Sequence, residues 1–341
     1  AQARGNRQSL SRCIPQLLVS WMALPTGKAL RVALIQDQEI PKEDVEHMLA
    51  DKGFDAVWTG YDEPSDAWAL ATDGRGSITE ELLKKHPQCK VLAVSFVGTN
   101  HVDHDACKRH GIAVVNTPDY SSSTVAELVI GLALSLYREI PSAERTLRAG
   151  AWVHSAGGLE LRGKVIGIVG LGHIGLRTAE LFRAFGPREV LGWSRRPKEA
   201  FVAPPISGRQ VALGEIFEHA DVIVLAVLLT PETKGMITRE LLEHLRPSSL
   251  FINIARAALC DLDALAELLC QRRFRAALDV YGVEPVLPED PILKVPPEQV
   301  LLVPHLGYKS LEALQRRFAL TVENLRRFAD GEPQNVLLDA A

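Results

Sequence analysis

Four side chains that could do chemistry stand at the ends of strand-like runs in the second half of the chain. Arg256 follows "LFINIA", Asp279 is the last but one residue of "RAALDV" with Glu284 shortly after it, and His305 follows "VLLVP". Ligands of open α/β sheets bind at the carboxyl ends of the strands. An arginine fork suits a planar anion, and a histidine beside a carboxylate can transfer a proton near neutral pH. We therefore expect a site that binds a small anion and moves a proton.

A glycine-rich turn lies between the strand-like run "VIGIV" and the helical pattern "LRTAELFRAFG". Gly170, Gly172 and Gly175 satisfy GxGxxG. The first glycine permits a tight turn, the second a close approach of backbone to a pyrophosphate, and the third close packing of helix on strand. His173 and Ile174 lie inside the turn, where their backbone amides would face the phosphates. The sequence thus predicts a bound dinucleotide.

The next strand-like run ends in "WSRR" and carries no acid. NAD-specific sites usually place Asp or Glu about 20 residues after the turn, where it binds the ribose hydroxyls. Ser194 stands at this place, followed by Arg195 and Arg196. Guanidinium groups bind a 2′-phosphate, which a carboxylate would repel. This pattern favours NADP over NAD and leaves NAD possible, and the alternative is that the arginines are only a solvated strand end.

The elements that must position these residues alternate between strand and helix. A first series runs through "LRVALI", "PKEDVEHMLADKG", "CKVLAVSFVG" and "DACKRHGIAVVNTP", and a second contains six strand-like runs from "KVIGIVG" to "QVLLVPH". Such alternation builds parallel sheets. We expect an α/β fold of two doubly wound parallel-sheet domains. A Rossmann-type dinucleotide-binding domain, residues 123–308, is inserted in a flavodoxin-like substrate domain, residues 28–122 plus 309–341.

Together with "VGTNHVD" (97–103) and "TVAEL" (124–128), these motifs make residues 30–338 resemble the D-isomer-specific 2-hydroxyacid dehydrogenases. The resemblance implies reduction of a small 2-keto acid to the D-2-hydroxy acid by hydride transfer from NAD(P)H. His305 and Glu284 would form the acid/base pair. Arg256 would bind the carboxylate and the keto group.

The resemblance also implies roles for residues outside that set. The backbone amides of Val97 and Gly98 would hold the substrate carboxylate. Thr124 would contact the cofactor, and Asp279 would bind the nicotinamide carboxamide. Relatives associate as homodimers through their nucleotide domains, and the apolar run "AELVIGLALSLY" suits such an interface.

The resemblance leaves the substrate open. Glu284 argues against formate, and Val97 argues against phosphite, because the corresponding enzymes carry Gln and Lys there. We favour glyoxylate or hydroxypyruvate, and a dehydrogenase for another 2-hydroxy acid remains an alternative. A second alternative is an NAD(H)-sensing binding protein of the co-repressor kind. One departure is Ala257, because the family usually has glycine after the catalytic arginine, and a positive φ there would be costly for alanine.

The composition of the chain disfavours several classes of binding partner. The chain of 341 residues has a formal net charge of −4 and no run of like charge, which disfavours nucleic acid. It contains no apolar run of the roughly 20 residues needed to cross a bilayer. Five scattered cysteines and no metal-ligand cluster are typical of reduced thiols in a cytoplasmic protein. Residues 1–27, which contain no acid, are expected to be a disordered or artificial extension in preference to a targeting leader.

Overall fold

The computed structural model describes residues 29–74, 76–152 and 157–338, so the predicted extension at 1–27 lies outside the described residues. The strands are β1 Leu30–Leu34, β2 Phe54–Trp58, β3 Ala69–Thr72, β4 Val91–Val94, β5 Ala113–Asn116, β6 Val165–Val169, β7 Glu189–Trp193, β8 Arg209–Gln210, β9 Val222–Leu225, β10 Leu250–Asn253, β11 Arg275–Leu278, β12 Val300–Leu302 and β13 Val336–Leu338. The α-helices are α1 Lys42–Ala50, α2 Glu80–Lys84, α3 His104–Arg109, α4 Ser122–Tyr137, α5 Ile140–Arg148, α6 His173–Arg183, α7 Glu199–Val202, α8 Leu213–His219, α9 Arg239–Glu243, α10 Leu262–Cys270 and α11 Leu311–Ala329.

The chain forms two compact units. Of the described residues, the first unit contains those up to Tyr120 and those from Leu311 onward, and the second unit contains those from Ser121 to Ser310. The units divide at 120/121 and 310/311, and each division lies two residues from the boundary that the sequence predicted, 122/123 or 308/309. The polypeptide therefore leaves the first unit once, completes the second, and returns.

The first unit is built on a sheet with the order β2-β1-β3-β4-β5-β13. Strands β1 to β5 are parallel in the order 2-1-3-4-5, which is the flavodoxin-like arrangement. The short strand β13 pairs antiparallel with β5. The sequence series did not predict β2, β3 or β13, but the fold class of this unit is as expected.

The second unit is built on a parallel sheet with the order β8-β7-β6-β9-β10-β11-β12. Counted from β6, this is 3-2-1-4-5-6 with one further strand, so the Rossmann-type prediction is confirmed. The predicted number of six strands is wrong, because the described part of this sheet has seven. The missed strand β8 has two residues, too few for a hydrophobic period.

The central strands of the second unit are buried along their whole length and are almost entirely apolar. Every residue of β9, "VIVL", and of β10, "LFIN", is buried. Parallel strands covered by helices on both faces require such continuous runs instead of alternation. The helices cover the faces of the sheet and leave the ends of its strands free. The carboxyl ends of the strands form what we call the carboxyl edge, and the loops there carry the candidate site.

Helix α11 brings a charged residue into the core of the first unit. Arg317 is fully buried, with Nη1 3.1 Å from Oε2 of Glu39 and Nη2 donating to the Gln38 carbonyl oxygen at 2.5 Å. A buried guanidinium is tolerated only when it is paired and hydrogen-bonded. This pair therefore ties α11 to the loop that follows β1.

Within the described ranges, no helix is long and apolar enough to cross a membrane. The same residues contain no group of three His, Cys, Asp or Glu side chains that could hold a metal ion. The four described cysteines, of which only Cys270 is exposed, are free thiols.

We predict that Arg317→Ala lowers the free energy of unfolding by about 3 kcal/mol, because it leaves the Glu39 carboxylate without its buried partner. Urea denaturation followed by circular dichroism measures the change. Arg327→Ala is the matched control on the same helix, since the Arg327 side chain is 47% exposed and its ion pairs contribute less than about 1 kcal/mol. Equal losses for the two variants would contradict the prediction.

Candidate active site

The candidate residues of the second unit follow one edge of its sheet. Gly170 comes directly after β6, Ser194 after β7, Asp279 after β11, and Arg256 and His305 come three residues after β10 and β12. These strands are parallel, so their carboxyl ends lie at the same edge. The alignment of the sheet alone therefore collects residues that are up to 135 positions apart in sequence.

His305 and Glu284 form a hydrogen-bonded pair at this edge. Nδ1 of His305 lies 2.6 Å from Oε2 of Glu284, and Oε1 of Glu284 accepts a hydrogen bond from the Tyr281 amide at 3.0 Å. An ionised carboxylate only accepts, so this arrangement places a proton on Nδ1 of the imidazole. The ring is partly exposed, and Glu284 contacts its Nδ1 and not its Nε2.

The loop that carries His305 is held by a buried carboxylate. Asp279 is 1% exposed, and its two oxygens accept hydrogen bonds from the amides of Leu306 at 2.5 Å and Gly307 at 2.9 Å. Burial raises the pKa of the Asp279 carboxyl, while the two amides and the charge of His305 act in the opposite direction. A Cβ on Gly307 would lie 2.7 Å from Oδ2 of Asp279, so this close approach requires glycine. The two bonds fix the backbone at His305, whose φ is +51°.

The Tyr281 side chain hydrogen-bonds to the backbone next to this pair. Its hydroxyl lies 2.9 Å from the Val303 carbonyl oxygen and 3.2 Å from that of Leu278, and so joins the ends of β11 and β12. Burial and the neighbouring carboxylates raise the pKa of Tyr281 to about 12, so the phenol keeps its proton and donates. A cavity of about 480 Å³ adjoins Tyr281, Glu284 and His305. Sequence reasoning missed this tyrosine, because a lone aromatic residue after a strand carries no distinctive signal.

Arg256 stands on a loop that Asn253 holds in place. The Asn253 side chain is buried, its Nδ2 donates to the Arg256 carbonyl oxygen at 3.0 Å, and its Oδ1 accepts from the Ala255 amide at 3.0 Å. The exposed guanidinium donates to the Ala255 carbonyl oxygen at 2.7 Å, and among the described residues it makes no hydrogen bond to Glu284 or His305. Asn253 was missed by the sequence reasoning, although it lies within the run "LFINIA" that precedes Arg256.

Ala257 fits its place without strain. It begins a short 3₁₀ helix, Ala257–Leu259, after Arg256 in an extended conformation. Ala257 is not among the non-glycine residues with positive φ. The cost that a positive φ would have imposed on alanine at this position therefore does not arise.

The three glycines of the turn have different surroundings. Gly170 has a φ of +105°, and a Cβ on it would lie 2.6 Å from the backbone of Ala226, whereas a Cβ on Gly175 would lie 1.9 Å from the Gly170 carbonyl oxygen. A Cβ on Gly172 would meet no atom within 4 Å. Helix α6 begins next, at His173, with its first amides lacking intrahelical acceptors. Open space at Gly172 beside these amides fits a pyrophosphate.

The basic strand end is organised by Ser194. The Ser194 hydroxyl donates to the Arg196 carbonyl oxygen at 2.6 Å and accepts from Nε2 of Gln210 at 3.1 Å. Arg195 and Arg196 are exposed. The serine therefore shapes the turn, and the two guanidinium groups are the parts available to an anion. Gln210 lies on the missed strand β8 and could not be found from the sequence.

Two further predicted groups lie elsewhere. Val97 and Gly98 belong to the loop after β4 in the first unit, where the Val97 side chain is exposed. Thr124 lies in the first turn of α4 in the second unit, with its Oγ1 3.3 Å from Oγ of Ser310. This contact joins the beginning and the end of the second unit.

The parallel sheet, its strand order and the glycine turn that opens α6 after the first strand define a Rossmann-type dinucleotide-binding protein. The profile of the family described as D-isomer specific 2-hydroxyacid dehydrogenase, NAD binding domain, matches residues 130–307. The chain belongs to the D-isomer-specific 2-hydroxyacid dehydrogenase family.

Its relatives carry several names. The chain is 35% identical to the D-3-phosphoglycerate dehydrogenase of Methanocaldococcus jannaschii over 85% of its own length, but it spans only 56% of that protein. It is 33% identical to an aromatic 2-oxoacid reductase of Clostridium sporogenes, over 79% of this chain and 83% of the relative. The NADPH-dependent glyoxylate/hydroxypyruvate reductase of Sinorhizobium meliloti, solved with NADP and malonate, is 28% identical with a TM-score of 0.76, covering 91% of this chain and 97% of the other.

We predict that Gly175→Ala destabilises the second unit by about 1–3 kcal/mol, because its Cβ would overlap the Gly170 carbonyl oxygen. Gly172→Ala is the matched control, since its Cβ would enter open space at a φ of −82°. Thermal unfolding compares the two variants. A melting temperature lowered equally by both substitutions would show that the two glycines do not differ as the structure indicates.

Proposed function

We propose that this protein is an NAD(P)-dependent D-2-hydroxyacid dehydrogenase that reduces a small 2-oxo acid. The observation that carries the proposal is the His305–Glu284 pair, with Nδ1 and Oε2 2.6 Å apart, at the carboxyl edge of a dinucleotide-binding sheet. A pair of this kind moves protons, and the sheet edge binds nucleotide. Membership of the dehydrogenase family is consistent with both functions at one site.

In the reductive direction, His305 donates the proton on Nε2 to the carbonyl oxygen of the substrate. A nicotinamide cofactor held at this sheet edge would supply the hydride that the carbonyl carbon receives, so the product would be a 2-hydroxy acid. Glu284 stabilises the imidazolium before transfer and holds the ring in one orientation afterwards. The Tyr281 amide restrains Glu284, because it occupies the second carboxylate oxygen.

The substrate carboxylate would be bound by Arg256, whose planar fork matches a planar anion and also polarises the keto oxygen. The resemblance also assigns carboxylate binding to the Val97 and Gly98 amides. Both contributions are inferred from the family resemblance. They are supported by the exposure of the Arg256 and Val97 side chains.

The cofactor would lie along the same sheet edge. Gly170, Gly172 and Gly175, with the amides of His173 and Ile174 at the start of α6, would hold the pyrophosphate. Thr124 and Asp279 would contact the nicotinamide half. Each Asp279 oxygen already accepts a hydrogen bond from one backbone amide. Each retains a second lone pair, which can accept a hydrogen bond from a carboxamide.

NADP is the favoured cofactor, and NAD is the alternative. Arg195 and Arg196 are exposed after β7, and position 194 holds a serine where NAD-specific sites usually hold a carboxylate. The related reductase solved with NADP supports the choice. The Ser194 hydroxyl is engaged by Arg196 and Gln210, so we assign phosphate binding chiefly to the two guanidinium groups.

Glyoxylate or hydroxypyruvate is the favoured substrate, supported by the related glyoxylate/hydroxypyruvate reductase. Other relatives are named for phosphoglycerate and for aromatic 2-oxo acids, so a dehydrogenase for another 2-hydroxy acid is the alternative. A dinucleotide-sensing binding protein is the second candidate, because it would use the same fold without turnover. We also propose a homodimer, supported by the exposed Ile140 and Leu147 on α5, a helix with no buried side chain.

We predict that His305→Ala lowers kcat by a factor of about 100 to 10,000 while the dissociation constant for NADPH changes less than twofold. Glu284→Gln should lower kcat less, because the imidazole is retained. The assay follows NADPH absorbance with glyoxylate, hydroxypyruvate, pyruvate and phenylpyruvate in turn. His219→Ala, an exposed histidine on α8, is the control. Turnover of His305→Ala within threefold of the unmodified chain would remove His305 from the reaction, and cofactor binding without any turnover would favour the sensing alternative.

We predict that the double variant Arg195→Ala/Arg196→Ala raises the KM for NADPH about tenfold or more and leaves the KM for NADH unchanged, because only NADPH carries the 2′-phosphate. Steady-state kinetics with each cofactor measures the ratio. Arg188→Ala is the matched control, since Arg188 is an exposed arginine just before the same strand, at its opposite end. A similar increase in KM for both cofactors would contradict a role in selecting NADPH.

A further inference from the structure

The loop after β4 is held by two hydrogen bonds from the end of β5. The Asn116 side chain donates from Nδ2 to the Val97 carbonyl oxygen at 2.8 Å, and the Thr117 amide donates to the Phe96 carbonyl oxygen at 3.1 Å. Asn116 is only 8% exposed. Two consecutive carbonyl groups of the loop are therefore fixed toward the interior of the first unit.

Peptide planarity makes these bonds orient the next two amides. In a trans peptide the carbonyl and the following N–H point in opposite directions. Fixing the Phe96 carbonyl directs the Val97 N–H outward, and fixing the Val97 carbonyl directs the Gly98 N–H outward. Within the described ranges, neither amide donates to a protein acceptor. Adjacent amides that face the same side form a concave site for an anion.

Asn116 is itself fixed by residues near the other end of the chain. Its amide donates to the Asn335 carbonyl oxygen at 3.2 Å, and its own carbonyl oxygen accepts from Nδ2 of Asn324 at 2.7 Å. Asn324 on α11 is fully buried, and its Oδ1 accepts from Nε2 of Gln334 at 3.0 Å and from Nδ2 of Asn335 at 2.9 Å. Helix α11 and the segment before β13 therefore keep the Asn116 side chain aimed at the loop.

We propose that Asn116 is a positioning residue for the substrate carboxylate, acting through the Val97–Gly98 peptide. The inference rests on the proposed function, because it takes these two amides to be carboxylate ligands. A side-chain amide suits the task, since it donates to the Val97 carbonyl without placing a negative charge near a bound anion. A serine at this position would be one bond shorter, and an ionised aspartate could not donate.

The test compares Asn116→Ala and the equally sized Asn116→Asp with the unmodified chain. We expect Asn116→Ala to raise both the KM for the 2-oxo acid and the calorimetric dissociation constant of oxamate about tenfold, with kcat within threefold and NADPH affinity unchanged. Asn116→Asp should raise them further, because its carboxylate repels both the Val97 carbonyl and the anion. Ser65→Ala is the control, since it removes two side-chain hydrogen bonds of the first unit, with His86 and with the Ala67 amide, away from this loop.

The outcomes separate the two proposals. A KM and an oxamate affinity for Asn116→Ala within twofold of the unmodified chain would overturn the positioning role and leave the reductase intact. If no 2-oxo acid is reduced, the proposed function fails, and the oxamate titration still decides the inference. If kcat, NADPH affinity and melting temperature fall together in Asn116→Ala but not in Ser65→Ala, the role of Asn116 is only structural and the inference is wrong.

Discussion

The parallel alignment of strands β6 to β12 is the constraint on which the arrangement of the candidate site depends. A parallel sheet needs a crossover after every strand, so each strand begins at one edge and ends at the other. Helices cover both faces, which leaves the loops at the carboxyl edge as the place where polar side chains can gather. The loops after four different strands contain candidate residues of the site, namely Gly170, Ser194, Arg256 and His305. Continuous apolar runs such as "VIGIV" and "VIVL" are therefore as necessary to the site as the charged residues themselves.

Buried polar side chains then give the loops at this edge their conformation. Irregular backbone leaves amides and carbonyls without regular partners, and apolar packing cannot satisfy them. Asp279 accepts hydrogen bonds from the amides of Leu306 and Gly307. The Asn253 side chain hydrogen-bonds to the Ala255 amide and to the Arg256 carbonyl oxygen. Each anchor is almost inaccessible to solvent, where a hydrogen bond is costly to break. The same device occurs in the first unit, where Asn116 holds the loop after β4.

The range of relatives is consistent with the substrate class that we propose for this site. A carboxylate next to a carbonyl is common to all 2-oxo acids, and Arg256, Glu284 and His305 are residue types suited to that shared part. The remainder of each substrate differs among relatives named for phosphoglycerate, aromatic 2-oxo acids and glyoxylate or hydroxypyruvate. Family membership therefore identifies a kind of chemistry, whereas the choice of acid depends on side chains outside this set.

The sequence by itself determined the features that local patterns encode: the two α/β units, the glycine turn between a strand and a helix, and the position of Arg256, Glu284 and His305 after strands. It missed β2 and β3 as well as the short strands β8 and β13, which are two and three residues long, and it did not reveal Asn253, Tyr281 or Asn324 as anchors. Only the tertiary structure decided those, and it also showed that Ala257 is unstrained and that Ser194 is engaged by Gln210. The physical reason is that periodicity and turn chemistry act over a few residues, whereas a buried hydrogen bond such as that from Asn324 to Asn116 joins groups whose separation of 208 positions leaves no local trace.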